Sequence, residues 1–359
     1  MKDNIDNTLD TTTEETAAEK PGLWQRLTGW RGRKNMPTGI KAGLIILGFA
    51  ALMGLSALLY VIIPADGMAR TAIDFPNEWN FGWDVIKFID NIVEWIVINW
   101  DPFFSLINKV LLHGILLPLE KYFLWLPWWS IPVITGLLAW RTVSLKFGLT
   151  SVAFLLLISL AGLLDLASQT LAITLTSAMI CVIIGLPLGI IAARSDRFNN
   201  TIRPILDGMQ TMPSFVYLIP ALMLFGIGRV PAVIATCIYA VPPIIRLTSL
   251  GIRQVDSSVV EASKSFGTTA WQLLSKVQIP MAMPTILAGL NQTIMMALAM
   301  VVIASMIGAA GMGTEILLGI SRLQVGRGVL AGMGIVFMAI ILDRISQGFA
   351  NRPGSSTSG

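Results

Sequence analysis

Residues 258–284 read SVVEASKSFGTTAWQLLSKVQIPMAMP. They lie in a polar stretch between two long apolar runs, and their spacing writes two short helices joined by a glycine. Ser258 followed by Glu261 predicts a capping box, in which each side chain satisfies an orphan N–H of the first turn. Gly267 stands where the first helix should stop, since glycine takes the left-handed conformation without a Cβ penalty. Thr269 followed by Gln272 predicts a second capping box. Pro280 is expected to end the second helix, because it lacks an N–H and clashes with the preceding turn. An ordinary polar loop lacks such paired caps around a spaced glycine and proline.

Outward from this elbow the chain is apolar. Of its 359 residues 54% are hydrophobic and 13% charged, against about 25% charged in a soluble domain. Apolar runs of about 20 residues identify an all-α, polytopic helical membrane protein. Cys181 and Cys237 sit in apolar runs and His113, the single histidine, stands outside any cluster. No disulfide framework, metal site or cofactor is expected on this chain, and no nucleic-acid partner.

In chain order, residues 1–42 read as a cytoplasmic segment, polar at first and then basic around Trp24, Trp30, Arg31 and Arg33. A first span is expected at 43–63. Residues 64–123 carry more acidic than basic groups, which suggests the outer side. There Ile86, Ile89, Ile92, Val93 and Ile96 recur at helical spacing opposite Lys87, Asp90 and Glu94, the pattern of an amphipathic helix on the outer leaflet. Residues 124–345 form the core, with spans near 124–140, 147–164, 168–193, 209–227, 231–245, 284–306 and 328–345. The Arg-bearing 194–205 loop and the 246–283 loop belong inside. Residues 308–327 are too broken by glycine and charge for a lipid-facing helix, and fit a short outer or re-entrant segment. Residues 346–359 form a cytoplasmic tail. The count is eight spans with both termini in the cytoplasm, and the Lys and Arg clusters agree with it.

No phosphate loop occurs anywhere, so a nucleotide site, if one drives transport, is on another chain. Ion-coupled carriers keep acids or bases at membrane depth. Here Asp165, Asp207, Glu315 and Asp343 sit near span ends, which weakens that alternative. Energy must then arrive mechanically, through a loop that a partner can grip.

Glu261-Ala262-Ser263, three residues, Gly267, nine residues, then Val277-Gln278-Ile279-Pro280 resembles the EAA loop of ABC importer permeases. The flanking stretches, VPPIIRLTSLGIRQV and AMPTILAGLNQTIMMALAMVVIASMIG, are similar to the permeases of the glycine betaine/proline importers. The resemblance implies a type I importer core in a bacterial inner membrane. It also implies a homodimer, two cytoplasmic ATPase subunits holding ATP and Mg, and an external substrate-binding protein. In that family the first short helix of the loop docks on the ATPase. Carried over, the docking set is Val259, Val260, Glu261, Ala262, Ser263, Phe266 and Gly267. The implied cargo is a small methylated amine such as glycine betaine, proline betaine, choline, carnitine or trimethylamine N-oxide. Quaternary ammonium groups are held by aromatic faces, which makes Phe215, Tyr217 and Tyr239 candidates for the path. Met212 and Met296 could form a soft gate; ordinary packing is the plainer reading of both sets.

Overall fold

Backbone in hydrocarbon must satisfy its own N–H and C=O groups, and this chain does so with helices. The computed structural model describes residues 38–62 and 81–350, and no strand occurs among them. The basic N-terminal segment, the acidic 63–80 stretch and the C-terminal tail from 351 lie outside the described residues.

Two units are distinguished, one ending at Val85 and one beginning at Ile86. The first contains α1 (Thr38–Ile62), a helix over the stretch expected as the first span, whose described apolar part, Ala42–Leu58, is shorter than a full crossing. Helix α2 (Gly82–Trp125) begins in the first unit and runs into the second. The second unit continues with α3 (Ser130–Thr142), α4 (Leu145–Leu160), α5 (Leu164–Arg194), α6 (Asp196–Thr211), α7 (Leu218–Phe225) and α8 (Arg229–Arg253). It ends with α9 (Ser257–Ser265), α10 (Ala270–Ile307), α11 (Met312–Ser321) and α12 (Val325–Ala350). Among the described residues, α2, α5, α8, α10 and α12 are long and apolar enough to cross a membrane, and the bent pair α6–α7 makes six if counted as one span. The hydrophobic runs at 124–140 and 147–164 appear as the shorter helices α3 and α4, of 13 and 16 residues.

The core is built where α5, α8 and α10 pack together, around Ile173, Val233, Ile244, Met300 and Val301. Without a hydrophobic drive between helices in lipid, close approach of backbones supplies the packing. Gly189 shows how close. A Cβ there would lie 2.6 Å from Thr248 Cβ and 2.9 Å from the Ile245 carbonyl oxygen. The two cysteines fill the same seam: Cys181 donates to the Cys237 carbonyl at 3.6 Å, and Cys237 to that of Ser177 at 3.5 Å.

Several expected boundaries move, each for a local reason. The 194–205 loop is helical: Ser195 caps α6 by accepting from the Phe198 N–H. The single span expected at 209–227 is broken at Pro213, and α6 and the segment from Ser214 to Phe225 meet at 106°. Proline drives the residue before it into extended backbone, and Met212 has φ −66° and ψ 139°. The return helix does not stop at Pro242-Pro243 but runs to Arg253. Both prolines are buried in the α5–α8–α10 core, where packing offsets the two lost backbone bonds. Pro280 likewise ends nothing. Residues Leu273–Gln278 widen into a π turn, and the helix continues from Ile279 to Ala304. The wider turn relieves the clash between the proline ring and the carbonyl four residues back. In α2 the π turn Val110–Leu116 precedes Pro118 in the same way.

Candidate coupling surface and translocation path

Helix α9 begins two residues earlier than the sequence suggests. Its cap is Asp256, whose carboxylate accepts from the Ser258 N–H at 2.8 Å. The Ser258–Glu261 capping box therefore does not form. An aspartate at that place captures one orphan donor, the Ser258 N–H, with a full charge. Bonds from Ser258 hold the Asp256 carboxyl below its usual range.

The helix closes where expected. Gly267 has φ +75°, and its N–H reaches the Lys264 carbonyl at 2.9 Å while Phe266 bonds Ala262 at 3.2 Å. Thr268 Oγ1 ties the elbow back to the Ser263 carbonyl at 2.8 Å. The second capping box is present in full: Thr269 N–H donates to Gln272 Oε1 at 2.9 Å and Gln272 N–H to Thr269 Oγ1 at 3.3 Å.

This leaves a rigid knuckle with one side open. Glu261, Ala262, Phe266 and Gly267 are exposed, while Val259, Val260 and Ser263 are half-buried. Phe266 is 89% exposed, and Trp271, beyond the glycine, is 69% exposed. Two large aromatic side chains in water beside charged residues are the kind of anchor that protein interfaces bury. The sequence reading missed Trp271, although its place two residues after the Thr269 cap marks an exposed first turn. A cleft of about 410 Å³ lies behind α9, lined by Arg194, Arg253, Val260, Glu261 and Lys264 among others.

One arginine ties the knuckle to the core, and two more lace together the helices behind it. Arg194 donates to the Ala270 carbonyl at 2.8 Å. Arg253 bonds Asp196 Oδ1 and the Ala192 carbonyl, both at 2.6 Å. Arg246 pairs with Asp207 at 2.6 Å. The C-terminal ends of α5 and α8 and the N-terminal ends of α6 and α10 are thus joined through arginines.

Four of the five candidate path residues, Met212, Phe215, Tyr217 and Tyr239, gather around the break between α6 and α7. Met212 is the extended residue of the break, and Phe215 is exposed on the short 3-10 turn Ser214–Tyr217. Tyr217 is only 4% exposed and donates from its hydroxyl to the Met209 carbonyl at 2.6 Å, which pins the bend. Its ring lies 6.4 Å from that of Tyr239 on α8. Tyr239 and Met296 pack, partly buried, against the main core. Phe215 and Met212 are therefore the members of the set that present open surface. Near the other end of α8, Arg229 pairs with Glu120 of α2 at 2.7 Å, and Glu120 is 6% exposed.

Comparison with known proteins bears on this arrangement. Residues 185–352 match the family described as binding-protein-dependent transport system inner membrane component. The glycine betaine/proline betaine transport system permease protein ProW of Escherichia coli (strain K12) is 49% identical over 255 residues, covering 71% of this chain and 72% of that one. The glycine betaine transport system permease protein OpuAB of Bacillus subtilis (strain 168) is 45% identical over 72% of this chain and 92% of its own. The trimethylamine N-oxide transport system permease protein TmoV of Ruegeria pomeroyi (strain ATCC 700808 / DSM 15171 / DSS-3) is 38% identical over 62% of this chain and 34% of its own. The matched region contains the elbow, the break at Pro213 and the packed helices α8, α10 and α12, and the chain belongs to the family of binding-protein-dependent transport system inner membrane components.

Proposed function

We propose that this chain is the membrane-spanning permease subunit of an ATP-driven importer of small methylated amines, with glycine betaine or proline betaine first and trimethylamine N-oxide next. The observation that carries it is the knuckle: a capped nine-residue helix closed by a positive-φ glycine, presenting exposed Phe266 beside Glu261. Such a surface suits capture by a separate motor. The names of the relatives support the substrate class.

In this reading two copies of the chain line the path and two cytoplasmic ATPase subunits hold the ATP and Mg. An external binding protein delivers the cargo, and both termini lie in the cytoplasm. Closure of the ATPases moves α9. The arginine ties at the inner ends of α5, α6, α8 and α10 pass the displacement to the bundle. Phe215 offers a π face to the quaternary ammonium, and Met212 beside it repacks as the cargo passes. A carrier driven by ions would instead need a titratable group at membrane depth.

Reconstitution tests this. Vesicles containing the chain, its ATPase partner and binding protein should take up labelled glycine betaine only with ATP inside the compartment that faces the knuckle. Glu261→Ala should leave the assembly inserted yet hydrolysing ATP without uptake. Uptake at full rate by the chain alone would sink the proposal.

A further inference from the structure

Opposite the knuckle, α11 and α12 form a hairpin whose backbone is unusually well held. Met312, at its base, is fully buried and donates its N–H to Thr170 Oγ1 on α5 at 2.8 Å. Fifteen residues later α12 has passed through its own turn and runs back beside α11. The two cross so tightly that a Cβ on Gly319 would lie 2.8 Å from the Gly328 backbone nitrogen. Arg327 clamps the crossing with a two-pronged bond to Glu315, Nη2 to Oε1 at 2.9 Å and Nε to Oε2.

The tip of this hairpin holds the one non-glycine residue with positive φ among those described, Leu323 at +54°. A leucine gains nothing from that conformation by itself. It is kept there by its neighbours: Arg322 N–H reaches Leu318 at 3.0 Å, Leu323 reaches Ile320 at 3.2 Å and Gln324 reaches Gly319 at 2.8 Å. The side chain so placed is 88% exposed, with Ile320 and Val325 exposed on either side. Arg322 beside it makes no direct ion pair among the described residues, its charge acting on Glu315 from farther off. Ser321, Arg322 and Gln324 mark the tip as lying outside hydrocarbon, so lipid does not account for a leucine held out there. A strained residue fixed by a bonded turn is a sign of a working contact, and fixing it beforehand lowers the entropy lost on docking.

We infer that the Ile320–Val325 tip is the docking point of the external substrate-binding protein, with Leu323 entering an apolar notch on that protein and Arg322 meeting a carboxylate at its rim. This rests on the import reading above, which supplies a soluble partner on the face away from the knuckle. The family description names dependence on such a protein.

The test uses the reconstituted assembly and the binding protein that supports its uptake. Glycine adopts positive φ freely, so Leu323→Gly keeps the turn and removes only the side chain. Hydrolysis of ATP is measured with no binding protein and then across a range of its concentrations. Leu323→Gly should raise the half-saturating concentration about tenfold, and Arg322→Gln should raise it and lessen its dependence on salt. Basal hydrolysis should match the wild type in both. Half-saturation unchanged in both variants overturns the docking site, and so does a fall in basal hydrolysis with half-saturation unchanged, which makes the tip merely structural. A wild type that the binding protein fails to stimulate overturns the import reading itself, and the docking site with it.

Discussion

Arg194, the last residue of α5, donates from Nη2 to the carbonyl of Ala270, the first residue of α10, at 2.8 Å across 76 positions of the chain. The bond joins a core helix to the second arm of the elbow at the point where α10 starts. Its partner carbonyl lies in the first turn, next to the Thr269 cap, so any rotation of the elbow pulls on it directly.

Replacing that arginine tests the linkage. Arg194 is exposed, so the bond is worth about 1 kcal/mol rather than the value of a buried charge-assisted bond. Arg194→Gln should therefore spare folding and membrane insertion while lowering uptake several-fold. Uptake and ATP hydrolysis measured on one preparation should diverge. Parallel loss of both would assign the residue to stability.

Gly267 is the hinge of the knuckle. A β-branched residue at φ +75° is strained by about 1–2 kcal/mol. Gly267→Val should weaken copurification of the ATPase subunit, whereas Gly267→Asn, which tolerates left-handed backbone, should retain most of it. Equal retention by both would show that the turn adapts.

The cap of α9 makes the knuckle sensitive to acid. The Asp256 carboxyl is held below its usual range by Ser258, so the unfolded elbow binds a proton more readily than the folded one. The cap's contribution is complete above the ordinary aspartate pKa of about 3.9 and is lost as pH falls through the lower folded value. Amide protection factors over residues 258–261, corrected for the intrinsic pH dependence of exchange, should stay flat near neutrality and fall only in acid. Asp256→Asn should abolish that change.

Gly189 tests the core. With Thr248 Cβ 2.6 Å and the Ile245 carbonyl 2.9 Å from where a Cβ would be, Gly189→Val should force α5 and α8 apart at about 1–3 kcal/mol. The midpoint of heat-induced aggregation in detergent should drop. Gly208→Ala, with open space around it, should leave the midpoint in place.

Phe215 tests the path. A cation–π contact at an exposed ring is worth about 0.5–1 kcal/mol, so Phe215→Leu should slow transport about two- to fivefold. Half-saturation by the binding protein should not move. An unaltered rate would remove Phe215 from the path.

Much of this architecture is legible along the chain. The elbow's glycine and the Thr269–Gln272 box are local features, decided by backbone conformation within a turn, and both stand where the sequence puts them. The same reasoning put a cap at Ser258 and overlooked Asp256, because both residues have a side-chain oxygen that can cap and only the first helical turn decides which one does. Prolines misled most. Pro242, Pro243 and Pro280 break helices in water, yet here two are embedded between neighbours and the third is absorbed by a π turn. Pro213 does break its helix, and the Tyr217–Met209 bond that pins the bend depends on a hydroxyl folding back on the turn.

By itself the sequence determined the class of the protein, the helical periods, and the knuckle, because each depends on composition or on contacts within a few residues. Only the tertiary structure decided which prolines bend the chain, where α5, α8 and α10 touch, and that Leu323 is held left-handed at the tip of a clamped hairpin. Those outcomes depend on atoms far apart in sequence meeting at van der Waals distance, and no local pattern records which atoms those will be.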